Sequence, residues 1–222
     1  LQLRNQGNRL PQQIHGAISS AKNELVGPDE YQTNTYFGEM VARVYDRYQF
    51  LLQENNALDF DDLLMNVVEV FRDYPDVLSR YRTKYTHVLV DEFQDTNIAQ
   101  YKILQLLTSR HRQLYVVADP DQSIYRWRGA DYLNVQRFED EYPDAQIYKL
   151  EQNYRSTQAI LDSATAVISK NPGRTPKKLF TERQGGARLR IQEAYDRKEE
   201  AKYVVETIAS LTYEGQYDPG DC

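Results

Sequence analysis

Cysteine is almost missing from this chain. The single thiol among 222 residues is Cys222, the last. No internal disulfide framework can therefore hold the fold, which excludes the small disulfide-rich secreted classes. No apolar run approaches the ~20 residues that a helical membrane span requires. The opening Leu1-Gln-Leu-Arg-Asn-Gln6 carries no apolar signal-peptide core, so a cytoplasmic location is the expectation. An excess of positive charge is also absent. Asp and Glu number 33 against 27 Lys and Arg, for a net charge of −6. That balance argues against a generally basic, DNA-coating protein, and any nucleic-acid contact has to come from a local strip of Arg and aromatics. Finally, none of the 10 Gly residues precedes a Lys. The Gly-Lys-Ser/Thr loop, whose backbone N–H groups wrap phosphates while its Lys reaches the β and γ oxygens, is missing from these residues.

What is present is ordinary for a globular protein: 41% hydrophobic and 27% charged residues. The length suffices for more than one core. The 18 tyrosines are expected to pack between helices. His15, His87 and His111 show no ligand spacing with one another or with Cys222, so no metal is assigned to them, and His87 is read as structural. There are no internal repeats.

Residues 1–84 read as helical. Val41, Val44, Tyr45, Tyr48, Leu51 and Leu52 form a 3.6-residue stripe that predicts one helix over about 30–54. Leu63, Leu64, Val67, Val68 and Phe71 predict another, from near Asp59 to before Pro75. Strands at about 86–90 and 114–118 flank a helix from Asn97 to Ser109 with Ile98, Tyr101, Leu104 and Leu107 inward. Such a strand–helix–strand unit predicts parallel pairing with a right-handed crossover. Beyond it the pattern predicts a helix at 131–141, a third strand at 146–150 and a helix capped by Ser156 with Ile160, Leu161, Ala164, Val167 and Ile168 on one side. Alternation predicts a strand over 187–193. A helix over 196–211 should turn Ala201, Val204, Val205, Ile208 and Leu211 inward.

Chemistry concentrates at the ends of the two central strands. Val88-Leu-Val-Asp-Glu-Phe-Gln-Asp-Thr-Asn-Ile98 runs from β-branched residues straight into Asp91 and Glu92. A buried strand that delivers acids at its C-terminal end is how α/β nucleotide enzymes hold magnesium and polarise a water. The plainer alternative is a core strand running into a solvated turn. Leu114-Tyr-Val-Val-Ala118 likewise ends in an acid, Asp119, followed by Gln122 and then Tyr125-Arg-Trp-Arg128. Aromatics two apart with Arg beside each suit single-stranded nucleic acid, since bases stack on the rings and guanidinium groups take phosphates. The pair Asp61-Asp62 is read as a solvated helix start favoured by the N-terminal dipole.

With these residues in view, the chain resembles the UvrD/PcrA/Rep-type superfamily 1 DNA helicases. Asp91-Glu-Phe-Gln-Asp-Thr-Asn97 is similar to their Walker B motif, Asp119-Pro-Asp-Gln-Ser-Ile-Tyr-Arg-Trp-Arg-Gly-Ala130 to motif III, and Leu150-Glu-Gln-Asn-Tyr-Arg-Ser-Thr157 to motif IV. Leu58-Asp-Phe-Asp-Asp-Leu-Leu64 resembles the acidic-aromatic segment upstream of Walker B. Order and spacing agree from about Ile18 onward. One departure is local: the family usually has Gly-Asp where this chain has Ala118-Asp119.

The resemblance implies an α/β fold of partial RecA-like parallel-sheet domains of P-loop NTPase type, with an N-terminal helical subdomain. Residues 1–82 would be the helical insertion of the first motor domain, 83–145 the second half of the first RecA-like domain, and 146–222 the beginning of the second. Motifs V and VI are not found, so the chain is expected to be an internal fragment of an ATP-dependent DNA helicase, inactive alone, with ATP and Mg2+ as the parent's cofactors. Single-stranded DNA and single/double-strand junctions are the implied partners, in repair or replication. By the same resemblance Asp91 and Glu92 would serve magnesium, and Glu92 would activate the attacking water. Gln122 would sense the γ-phosphate, Tyr154 stack on adenine, and Arg155 act as an arginine finger. Tyr125, Trp127, Arg128 and Phe60 would face DNA, although Phe60 lies among leucines and core packing is its alternative. Two other classes stay open: a metal-dependent nuclease using Asp91, Glu92 and Asp119, and a non-catalytic module that binds single strands or protein.

Overall fold

The computed structural model describes residues 9–126, 129–171, 174, 176–215 and 217–221. Two compact units are present, Leu1–Ile147 and Tyr148–Cys222. The architecture is mixed α/β but mostly helical, with one small parallel sheet.

The first unit opens with four helices: α1 (Arg9–Asn23), α2 (Tyr36–Glu54), α3 (Phe60–Asp73) and α4 (Pro75–Lys84). Helix α1 buries Ile14, Ile18, Ala21 and Lys22, one face at helical spacing. Its apolar members meet Val41 and Tyr45 of α2 in a common core. Helix α2 starts at Tyr36, six residues later than the apolar stripe predicts. Thr35 supplies the N-cap, its hydroxyl accepting from the Gly38 N–H at 3.0 Å. Gly38 suits the close approach there, because a Cβ would lie 1.8 Å from Thr33 Oγ1 and the Thr33 side chain would have to shift. Helix α3 begins where expected, with a capping box between Asp59 and Asp62. Pro75 at the first helical position starts α4.

The reading of Asp61-Asp62 as a solvated helix start is corrected for Asp62, which is 1% exposed. Lys22, fully buried, donates to Asp59 and Asp62 at 2.7 Å each. Tyr48 Oη and Gln49 Nε2 add hydrogen bonds to Asp59 and Asp62 at 3.0 Å. A buried charge has to be paired, and this pairing fixes how α3 is rotated. Asp62, Met65, Val68 and Phe71 turn inward, whereas Leu63 and Val67, expected on the inner face, are exposed.

The sheet consists of β1 (Val88–Val90) and β2 (Leu114–Val116), paired parallel in the register Val88↔Leu114 and joined through α5 (Ile98–Thr108). Asn97 caps α5 through a capping box with Gln100. Tyr101 is buried as expected, while Ile98, Leu104 and Leu107 are half-buried. Helix α6 (Leu133–Glu141) follows, and its Phe138 joins Phe93 and Tyr101 in a second core beneath one sheet face. The opposite face, with Leu89, Tyr115 and Val117, is exposed. Most of the tyrosines are exposed too, against the expectation of packing between helices.

The second unit holds α7 (Gln158–Ile168) and α8 (Arg197–Tyr213). Thr157, not Ser156, occupies the N-cap of α7. Asp196 caps α8, accepting from the Lys198 and Glu199 N–H groups. Strands expected at 146–150 and 187–193 do not form. The pairing observed in this unit among the described residues is a single parallel bridge, Gln152↔Phe180. An apolar run becomes a strand only with a ladder partner, and Ile147, Tyr148, Leu150, Leu189 and Ile191 are exposed. The predicted inner faces are open as well: Ile160, Val167, Val204 and Val205 are exposed, and of the expected α7 face Leu161 alone is buried.

The Lys22 cluster makes a measurable demand. Burial pushes the Asp59 carboxyl up, but hydrogen bonds from Lys22, the Asp62 N–H and Tyr48 outweigh it and hold Asp59 below the usual carboxylate value. A depressed carboxyl stabilises the fold above its unfolded pKa, and that stabilisation drains from about pH 5 downward. Lys22→Ala should cost about 3–5 kcal/mol at neutral pH, the effect of stranding buried charge. The acid-dependent loss should also shrink, because the cation that depresses Asp59 is gone. Urea unfolding across a pH series checks both. Equal stability, or an unchanged acid slope, contradicts the pairing account.

Candidate active site

The site is built by the turn that ends β1. Phe93 is fully buried, its ring 6.0 Å from Tyr101 and 5.8 Å from Phe138. Its N–H donates to the Val117 carbonyl at 2.9 Å, and the Val117 N–H donates to Val90 at 2.8 Å. With Phe93 pulled inward and the ladder continued past the strand end, Asp91 and Glu92 are thrown outward and exposed. The reversal places Glu92 at φ 50, ψ 40, a left-handed conformation uncommon for a residue with a side chain. Backbone strain of this kind is retained where the surroundings over-determine it. Here the Asp95 N–H donates to the Glu92 carbonyl at 2.9 Å, and the Glu92 N–H donates to Asp91 Oδ1 at 2.9 Å.

The loop after β2 meets this turn. Asp119 caps a short turn at Pro120–Gln122, accepting from the Asp121 N–H at 3.1 Å and from Gln122 Nε2 at 2.7 Å. Gln122 is exposed. One side chain that sequence reasoning passed over joins the two loops. Gln94, 1% exposed, donates from Nε2 to Glu92 Oε2 at 2.7 Å and accepts at Oε1 from the Asp119 N–H at 2.9 Å. Ser123 Oγ adds a bond to the Gln94 carbonyl at 3.4 Å. A buried amide must find partners, but the burial of Gln94 comes from the tertiary fold, and the sequence carries no signal for it.

The other candidates are placed as follows. Tyr125 is partly exposed on the same loop, and Trp127 and Arg128 lie outside the described residues. Gly129, at φ +84, follows them with its Cα against Asn23 of α1, and a Cβ there would sit 3.2 Å from that side chain. Phe60 opens α3 and is 89% exposed, so it is not core. Tyr154 and Arg155 belong to the second unit, where both are exposed ahead of α7. Asn153 Oδ1 accepts from the N–H groups of Arg155 and Ser156 at 2.9 and 2.7 Å, which sets the turn that carries them. Arg183 donates to the Arg155 carbonyl.

A second missed group ties the helices to the site. Asn23 donates to Asp61 at 3.0 Å and accepts from Asn97, the α5 cap six residues past Asp91. Asn134 of α6, fully buried, donates to the Thr96 carbonyl at 2.9 Å. The turn from Asp91 to Asn97 is thus held from α1, α6 and β2 together.

Two acids and an amide at the C-terminal edge of parallel strands are suited to a polar, phosphate-bearing ligand. Residues 2–143 match the UvrD/REP helicase N-terminal domain. The chain belongs to the UvrD/REP helicase family. Residues 148–220 match the UvrD-like helicase C-terminal domain. Among curated relatives of this UvrD/REP chain, the ATP-dependent DNA helicase PcrA of Staphylococcus epidermidis is 48% identical over 200 residues, covering 89% of this chain and 27% of that protein. PcrA of Leuconostoc citreum is 47% identical over 203 residues, covering 90% and 27%. PcrA of Staphylococcus aureus is 47% identical over 200 residues. The family resemblance carried by the four motifs is confirmed, and the chain spans 27% of the length of these relatives.

Proposed function

We propose that these residues are part of an ATP-driven motor that moves along single-stranded DNA and opens duplex, in repair or replication. The observation that carries the reading is the gathering of Asp91, Glu92, Asp119 and Gln122 at one edge of the β1–β2 pair: the buried Gln94 amide joins Glu92 to Asp119, Asp91 accepts from the Glu92 N–H, and Gln122 donates to Asp119. The relatives' name, ATP-dependent DNA helicase, supports it. On this reading residues 1–82 form the helical insertion of the first motor domain, 83–145 the second half of its RecA-like core, and 146–222 the start of the second RecA-like domain. The exposed apolar sheet face fits such a core, because parallel sheets are covered on both faces when complete.

Among the described residues no group of three or more His, Cys, Asp or Glu is placed to hold a metal. Magnesium suits this arrangement, since it is bound through one or two carboxylates and takes its remaining ligands from water and substrate phosphates. Asp91 and Glu92 would hold it, and when bound it would neutralise charge on the β- and γ-phosphates. Glu92 orients a water and takes its proton, while Gln122 turns from Asp119 toward the γ-phosphate. From the second domain Tyr154 stacks on adenine and Arg155 neutralises charge on the transferred group. The phosphate-cradling loop is supplied from outside these 222 residues.

Glu92→Gln in the full-length motor should abolish ATP turnover and leave nucleotide binding nearly intact, because the shape is kept and the base removed. The loss should be at least about 3 kcal/mol of barrier. Turnover at the wild-type rate defeats the assignment.

Tyr125, Trp127, Arg128 and Phe60 are the proposed DNA contacts. With a net charge of −6, stacking has to supply much of the affinity. In the full-length motor Trp127→Ala should weaken single-strand binding by about 1–3 kcal/mol and leave the salt dependence nearly unchanged. Arg128→Ala should flatten that dependence if the guanidinium holds a phosphate. Salt titrations with labelled single strands make the comparison; full affinity in Trp127→Ala removes the stacking role.

A further inference from the structure

The function proposed above needs Glu92 aimed at a water, yet Glu92 is exposed on a strained turn and a free glutamate there has many rotamers. We propose that Gln94 is the positioning residue that aims Glu92 and makes that aim depend on the loop carrying Gln122 and Tyr125. This rests on the reading of Glu92 as the base.

The buried amide has only one workable orientation. The Asp119 backbone N–H can only donate, so the atom facing it must be Oε1. Nε2 must then face the Glu92 carboxylate, which can accept. The backbone donor decides between the two flips. Nε2 also approaches Asp95 Oδ2 at 3.4 Å, so both of its hydrogens point at acids. Because Gln94 is 1% exposed, water cannot replace either bond at little cost. The aim of Glu92 is therefore referred to the position of the Asp119 backbone.

That backbone is the start of a hydrogen-bonded turn. Asp119 holds the Asp121 N–H and the Gln122 amide, and Ser123 reaches back to the Gln94 carbonyl. A displacement of the 119–125 loop, whether from Gln122 leaving Asp119 or from a base seated on Tyr125, moves the Asp119 N–H. Gln94 carries that movement to the Glu92 carboxylate across a single side chain. The backbone ladder between Phe93, Val117 and Val90 also joins the two loops, but it does not touch the Glu92 carboxylate.

Two substitutions in the full-length motor separate the bonds. Gln94→Glu keeps an acceptor for the Asp119 N–H and presents Glu92 with a carboxylate instead of a donor. Gln94→Met keeps the length and loses both bonds without burying a charge, which guards against a variant that fails to fold. Each is compared with wild type for ATP turnover with and without single-stranded DNA, for KM(ATP), for DNA affinity and for Tm, with Glu92→Gln alongside. The expected result is a DNA-stimulated kcat lowered roughly ten- to hundredfold, on the scale of a misplaced catalytic group. KM and DNA affinity should stay within about twofold of wild type, and the ratio of stimulated to basal turnover should collapse toward one. Normal DNA stimulation in both variants while Glu92→Gln is dead overturns this inference and spares the site. A loss of kcat accompanied in both variants by equal loss of nucleotide and DNA binding makes Gln94 merely structural and also overturns it. Full turnover in Glu92→Gln overturns the reading on which it rests.

Discussion

A lysine ammonium shut away from water organises the first unit. Lys22 has no solvent contact, and its charge is met by Asp59 and Asp62 and by the faces of Tyr45 and Tyr48, 5.9 and 5.1 Å away. Stranding any one of these charges costs several kcal/mol, so α1 and the N-terminus of α3 are committed to one arrangement. Tyr48 is drawn in as well. Burial, with its hydrogen bond to Asp59 adding to it, pushes its phenol up to about 12. The neighbouring residue, Asn23, is then placed between Asp61 and Asn97. In this way a charge buried among helices reaches the cap of α5 and the turn that ends β1.

The site itself depends on opposite demands made by adjacent residues. Phe93 belongs to the core and Glu92 to the surface, and a left-handed Glu92 is the geometric consequence. Such a turn is stiff only if both flanks are fastened. The ladder bond from Phe93 to Val117 fastens one, and the Gln94 amide fastens the other to the loop after β2. A site made this way can be held in place while its acids remain accessible.

Local signals were legible wherever they were local in origin. The helix starts near Asp59 and at Asn97, the two β-branched runs and the acids at their ends all follow from neighbours in sequence. The shortfalls have tertiary causes. Periodicity put Leu63 and Val67 inside, but the partner of Asp62 is 40 residues away at Lys22, and the helix turned to suit the charge. The start of α2 moved because the Thr35 cap and the contact of Gly38 with Thr33 outweigh an apolar stripe. Residues 146–150 and 187–193 have strand-like composition and no ladder partner among the described residues. Gln94 sat within the motif as quoted, yet nothing in the string of letters says that it is buried or that its second partner is a backbone N–H 25 residues on. Roles for Trp127 and Arg128 rest on their motif and not on described geometry.

The central claim is that the edge formed by Asp91, Glu92 and Gln122 faces the terminal phosphate of a nucleotide. A structure of the full-length protein with magnesium and a non-hydrolysable ATP analogue tests it most directly. The account predicts a water between the γ-phosphate and Glu92 at hydrogen-bonding distance, about 3 Å, with the Gln122 amide released from Asp119 and turned to the phosphate. A nucleotide bound with its γ-phosphate away from this edge, or a Glu92 carboxylate out of reach of any water beside it, would contradict it.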